Sequence, residues 1–222
     1  MNILIVGNDD NLIEAKQKFG ESHSYTLTQN QAEAENSFST SDLIFDFNLD
    51  NNPSQIKRYA THSSPIVFIN TSKINLAELG SIVNHEINCS LFGFCGLPTF
   101  LNRPLLELTL YQNKNKEKLG AICLNLNTKF SLVEDRVGLV TPRVICMIIN
   151  EAYYTLEEGT ATREDIDLAM KLGTNYPFGP FEWAQRIGVM HVYELLDAVY
   201  KDTKDERYKT CALLKEEYLL IK

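Results

Sequence analysis

The chain has no cysteine pair at C-x-x-C spacing, and its four histidines (His23, His62, His85, His191) show no metal-ligand spacing. Its five cysteines, Cys89, Cys95, Cys123, Cys146 and Cys211, are odd in number and scattered. Neither a zinc site nor a disulfide framework is expected. The thiols read as reduced, small apolar groups of a cytosolic protein, several of them buried. Positive charge is also scarce: 21 Lys and Arg stand against 29 Asp and Glu, for a net charge of −8. That argues against holding nucleic acid or an anionic membrane through a basic patch. No apolar run approaches the roughly 20 residues of a membrane span. The N-terminus lacks a basic region, and Asp9 and Asp10 interrupt its short apolar stretch, so no signal peptide is expected. What is present, 44% hydrophobic and 23% charged residues over 222 positions, is ordinary for one or two soluble globular domains.

Short apolar runs alternate with helical patterns through the first half. Met1 to Val6 reads as a buried strand, followed by a helix capped by Asn8 or Asp9 and ended by Gly20. Tyr25 to Thr28 is a second strand, and the polar stretch from Gln29 to Thr40 allows a short helix. "DLIFDFNLD", Asp42 to Asp50, reads as a third strand, after which Ser54 is placed to cap a helix around Ile56 to Ala60. Pro65 precedes "IVFIN", the fourth strand. Further elements are a helix over Asn75 to Val83, strands at "CSLFGF" and "PLLELTLY", a helix over Lys116 to Leu126, and a last strand at "KFSLV". Such alternation predicts a mostly parallel sheet.

The pattern changes after Asp135. Val140, Val144, Met147, Ile148, Ala152 and Leu156 recur at helical spacing, with Gly159 as the stop. Thr162 and Asp165 form a capping box before "IDLAMKLG", and Gly179-Pro180 places a proline in the first turn of another helix. Two more helices are expected at about 190–201 and 206–221. The chain divides into an α/β domain, 1–137, and an all-α domain, 138–222.

"MNILIVGNDDNL" begins as the first strand of a dinucleotide-binding βαβ unit does. The fingerprint that follows such a strand is G-x-G-x-x-G. Here Gly7 is the only glycine of the three, with Asp9 and Leu12 at the other two positions. Two aspartates at a helix N-terminus suit the helix dipole and repel a phosphate. The second strand, "YTLTQN", lacks the acidic residue that holds an adenine ribose. A capped helix with no dinucleotide is the reading these residues favour.

"EDIDLAMKLGTNYPFGPFEWAQRIG", Glu164 to Gly188, resembles the core of the C-terminal domain of 3-hydroxyacyl-CoA dehydrogenases. "EDRVGLVTPRVICMIINEA" resembles the family's D-x-P-G-F-I-x-N-R stretch, and "FINTS" its S-N-T-S segment. "FGFCGLPTFLNRPLLEL" sits where the family has G-x-H-F-F-N-P followed by L-V-E. The resemblance covers nearly the whole chain, strongest in the helical half. It implies a shortened Rossmann-like domain followed by a helical dimerisation domain, a homodimer through 138–222, NAD as cofactor, an acyl-CoA-like small molecule as ligand, and a place in fatty-acid or hydroxyacyl-CoA metabolism.

The family removes the hydroxyl proton with a histidine while hydride leaves C3; a glutamate orients that histidine, and a serine and an asparagine contact the reacting oxygen. Glu107 matches the glutamate and Ser72 the serine, whereas the histidine position is Cys95 and the asparagine position is Pro142. A thiol of pKa about 8.5 beside a carboxylate is pushed further up by like-charge repulsion. Cys95 needs a cation such as Arg103, or a histidine, to act; without one it reads as structural. Pro142 has neither an N–H nor a polar side chain and serves only the first turn of its helix. Two function classes follow. One is an NAD-linked oxidoreductase of a small hydroxyacyl-CoA or hydroxy acid, using Gly7, Ser72, Cys95 and Glu107. The other is a degenerate member with impaired or absent hydride transfer, down to a non-catalytic dimeric scaffold or ligand-binding protein.

Overall fold

A computed structural model describes residues 1–63 and 66–221; Pro65 lies outside them. Two compact units divide the chain, Met1–Leu139 and Val140–Lys222.

The first unit is a seven-stranded sheet in the order β2-β1-β3-β4-β5-β6-β7. Its strands are β1 (Asn2–Val6), β2 (Ser24–Thr28), β3 (Leu43–Asp46), β4 (Ile66–Asn70), β5 (Ser90–Phe94), β6 (Leu105–Leu110) and β7 (Lys129–Leu132). All neighbours are parallel except β5 and β6. Helices α1 (Asp9–Phe19), α2 (Gln31–Ala34), α3 (Ile56–Ala60), α4 (Leu76–Ile82) and α5 (Lys116–Asn125) make the connections.

The central strands read as unbroken apolar runs because both sheet faces are covered. Successive side chains point to opposite faces, so Ile3 and Ile5 join one core cluster and Leu4 and Val6 the other. In the first cluster Phe45, Phe68 and Phe92 occupy paired positions on β3, β4 and β5; the first two rings stack at 4.5 Å and the second pair meets tilted at 5.1 Å. Such aromatic pairs across strands fix register as well as burying area.

Helix starts follow the local chemistry. Asn8 caps α1, accepting from the Asn11 amide, while the Asn11 side chain accepts from the Asn8 amide. Gly20 ends α1 at φ +86°, where a side chain would be strained. Asn75 and Glu78 form the same reciprocal box on α4, and the Asp135 carboxylate accepts from the Leu76 and Ala77 amides at 2.9 Å each. Two expectations are corrected. The third strand stops at Asp46, because Asn48 adopts a helical backbone and Leu49–Asn51 forms a 3-10 turn. Ser54 does not cap α3; its hydroxyl donates to Asn52 Oδ1 at 3.0 Å inside another 3-10 turn, Pro53–Gln55.

The second unit is helical: α6 (Thr141–Glu157), α7 (Arg163–Thr174), α8 (Pro180–Ile187), α9 (Val189–Thr203) and α10 (Ala212–Ile221). Pro142 sits in the first turn of α6 and is buried. Tyr153 on α6 meets Phe181 on α8 edge-on at 5.0 Å, and its hydroxyl donates to Glu217 at 2.6 Å. Asp167 explains part of the sequence signature: its carboxylate accepts from the Phe181 and Glu182 amides at 2.8 and 3.1 Å and so caps α8 from α7. A Cβ at Gly179 would lie 2.2 Å from Asp167, so the close approach requires glycine there. The Thr162–Asp165 box is half formed. Thr162 accepts from the Asp165 amide, but the Asp165 carboxylate takes the Thr162 hydroxyl, not the backbone N–H expected of the box. The last helix starts at Ala212, not 206, because Asn150 accepts from the Cys211 amide and donates to the Lys209 carbonyl, holding that stretch out of the helix.

Candidate functional site

Open parallel sheets place ligand sites beyond the carboxyl ends of their strands. Gly7 follows β1, Asp46 ends β3, Asn70 ends β4 with Ser72 just beyond, and Cys95 follows β5. Glu107 lies on antiparallel β6, one step past the Phe94–Leu108 pair, which gives it the register position of Cys95. All the residues singled out in the first unit therefore come to one end of the sheet.

Asn70 organises this end. Its Oδ1 accepts from the Ser72 amide (3.1 Å), the Ser72 hydroxyl and the Gly96 amide (2.9 Å). Its Nδ2 donates to the Phe47 carbonyl (3.2 Å) and to Asp50 (2.9 Å). Ser72, fully buried, thereby comes to rest with Oγ 3.6 Å from Cys95 Sγ. The asparagine was quoted within "FINTS" but carried no role; a polar residue ending a four-residue apolar run was the available signal.

Cys95 is 3% exposed, and its thiol is pushed up to about 12. Burial is the largest cause. Arg103 does face it and pulls the other way, while Glu107 adds a smaller upward push. The carboxylate acts in the expected upward direction, and removal from water is the larger cause. The described histidines of the first unit have other partners. His23 lies by the N-terminal ammonium, His62 pairs with Glu35, and His85 bonds the Glu86 carbonyl. The thiol is held in its neutral form at physiological pH.

The loop between β5 and β6 is pinned from α1. Glu14 accepts from the Leu101 and Asn102 amides at 2.9 and 3.0 Å, and Lys18 donates to the Arg103 carbonyl. Within that loop Thr99 sits at φ +74°, an uncommon conformation for a β-branched residue. Arg103 stacks on Phe100 with its guanidinium 4.2 Å from the ring centre.

Residues around Gly7 do not fit a dinucleotide. A Cβ on Gly7 would lie 2.4 Å from Asn11 Oδ1, so the Asn11 side chain already fills the turn. The Asn8 amide, which would otherwise face a phosphate, donates to Asn11 Oδ1 at 2.9 Å. Asp9 and Asp10 occupy the first turn.

Asp46 is a further buried group that sequence reading missed. It accepts from the Tyr59 hydroxyl (2.8 Å), the Asn48 amide (2.8 Å) and Gln31 (3.3 Å). Burial raises its carboxyl to about 6, against the lowering effect of these bonds. Among the described residues no group of three His, Cys, Asp or Glu could hold a metal ion, and no helix is long and apolar enough to cross a membrane.

A model of the 3-hydroxyacyl-CoA dehydrogenase C-terminal domain matches residues 138–219. The 3-hydroxyadipyl-CoA dehydrogenase of Escherichia coli (strain K12) is 41% identical over 88 residues, 40% of this chain and 18% of that protein. The 3-hydroxybutyryl-CoA dehydrogenase of Bradyrhizobium diazoefficiens is 30% identical over 155 residues, 67% of this chain and 51% of that protein. These matches span about half or less of the relatives' own length. The crystal structure of (S)-3-hydroxybutyryl-CoA dehydrogenase from Ralstonia eutropha shares the fold, with a TM-score of 0.75 at 21% identity, covering 99% of this chain and 93% of that one.

The raised Asp46 gives a pH signature. A folded-state pKa above the unfolded value means the folded chain holds the proton more tightly, so this contribution is full at low pH and lost as pH rises through about 6. Relative to the unaltered chain, Asp46→Asn gains ~2 kcal/mol of stability between pH 4 and pH 7. Urea unfolding at each pH reads this, and a pH-independent difference contradicts it. On the shared signature, the matched domain and the common fold together, the chain belongs to the 3-hydroxyacyl-CoA dehydrogenase family.

Proposed function

We propose that this chain is a 3-hydroxyacyl-CoA dehydrogenase relative in which hydride transfer is impaired or absent, retaining a place for a small acyl-CoA-like molecule near Ser72 and Glu107. The observation that carries the reading is Cys95. Oxidation of a hydroxyl needs a base to take its proton as hydride leaves. At the base position stands a buried thiol, neutral at physiological pH, lying against Ser72. Pro142 at the second position offers no polar side chain, and the filled Gly7 turn supports weak or absent NAD binding. Titration calorimetry with NADH, alone and with acetoacetyl-CoA, paired with a turnover assay, tests this. The expected result is no saturable heat at millimolar nucleotide and no turnover above background. Micromolar binding with turnover overturns the reading and favours an active NAD-dependent oxidoreductase; the retained Ser72 and Glu107 are what speak for that alternative.

The proposal includes a homodimer through 138–222. Leu168 and Leu172 on α7, four residues apart and thus on one helix face, are 53% and 77% exposed. An apolar stripe of this kind marks an interaction face. Sedimentation equilibrium is expected to give twice the chain mass, with Leu172→Glu shifting it toward the monomer; a monomeric unaltered chain contradicts this part.

A further inference from the structure

The strand order places the topological switch point between β1 and β3, since the chain runs from β1 outward to β2 and then returns to the far side for β3. In this fold the crevice above those two strands is where a dinucleotide lies. Here the segment following β2 crosses it. Gln31 reaches from α2 over the end of β1 to Asp46 at the end of β3, with Nε2 3.3 and 3.4 Å from the two carboxylate oxygens. Asn48, two residues beyond Asp46, donates to the Gln29 carbonyl at 3.5 Å. Both contacts join the β2 side of the sheet to the β3 side with β1 between them.

The segment is anchored at both ends. On one side it continues β2, which is paired with β1 along its length. On the other, Ala34 and Phe38 are buried in the core cluster that holds Leu4, Val6 and Ile44. Phe38 stacks on Tyr59 at 5.0 Å, and the Tyr59 hydroxyl donates to the same Asp46 that Gln31 reaches. Glu35 adds an ion pair to Arg58 at 2.8 Å. Asp46 is thus satisfied from three elements, which compensates for its burial. At the end of β1, the Asn11 side chain occupies the Gly7 turn.

We infer that Gln29–Ala34 is an internal strap that closes the β1–β3 crevice to nucleoside diphosphates, with the Asn11 side chain seated where a pyrophosphate would lie. This deepens the proposed loss of hydride transfer and rests on it. Exclusion then has two separable parts, a filled phosphate turn and a strap above it. Replacing the turn alone leaves the crevice shut.

The test titrates ADP into three full-length proteins by calorimetry: the unaltered chain, Asp9→Gly/Asn11→Gly, and that double variant with Gln31→Ala added. The expected result is no saturable binding by the unaltered chain and at least roughly tenfold tighter binding by the triple than by the double variant. Equal affinity in the double and triple variants overturns the strap, as does the absence of binding in a triple variant that keeps its native circular dichroism. So does ADP binding by the unaltered chain. Hydrogen exchange on the unaltered chain supplies a second reading: the Ala34 and Asn48 amides are expected to exchange roughly tenfold or more slowly than those of Glu21 and Ser22. Equally fast exchange overturns the proposal. Turnover with NADH by the unaltered chain refutes the functional reading, whereas equal double and triple variants refute only the strap.

Discussion

One carboxamide holds the functional end of the sheet together. Asn70 bonds the segment after β3 through the Phe47 carbonyl, the loop after β5 through the Gly96 amide, and the residues after β4 through the Ser72 amide. Gly96 has no space for a Cβ, which would lie 2.8 Å from Asn70. An apolar residue at position 70 would leave the Gly96 and Ser72 amides without their acceptor inside a buried region, the costly half of hydrogen-bond energetics. The contact between Ser72 and Cys95 follows from this arrangement, because both residues leave their strands along paths that Asn70 fixes.

Arg103 faces Cys95 and favours its thiolate, yet burial wins and the thiol rises to about 12. Against an ordinary thiol this makes the charged form costlier by ~4 kcal/mol. Cys95 is part of the packed sheet end, against Ser72. Helix α1 adds to the packing. Its Glu14 clamps the β5–β6 loop, while its first turn fills the space above Gly7.

Much of the architecture was legible because its signals are local. β1, β3, β4 and β5 read as apolar runs since both their faces are buried, and α6 read from its 3.6-residue periodicity. The errors have non-local causes. Asp42 to Asp50 looks like one strand, but Asn48 bonds across the sheet end to Gln29. Residues 206–221 look like one helix, but Asn150, some sixty positions earlier, holds Lys209 and Cys211 in another conformation. In the site, Ser72, Cys95 and Glu107 were found by motif position. Their mutual geometry, the role of Asn70 and the buried Asp46 were not visible, because each depends on strands far apart in sequence meeting at one edge. The capped helix after Gly7 with its acidic first turn was legible, since Asn8, Asp9 and Asp10 are consecutive.

The most direct test of the account is the reactivity of Cys95 in the native chain as a function of pH, with iodoacetamide as the probe and peptide mass spectrometry to resolve each cysteine. The account predicts that Cys95 stays unmodified from pH 7 to pH 9 in the folded protein and is alkylated once the chain is unfolded in urea. Native alkylation of Cys95 with a midpoint near neutral pH would contradict it, and would make this cysteine an available base.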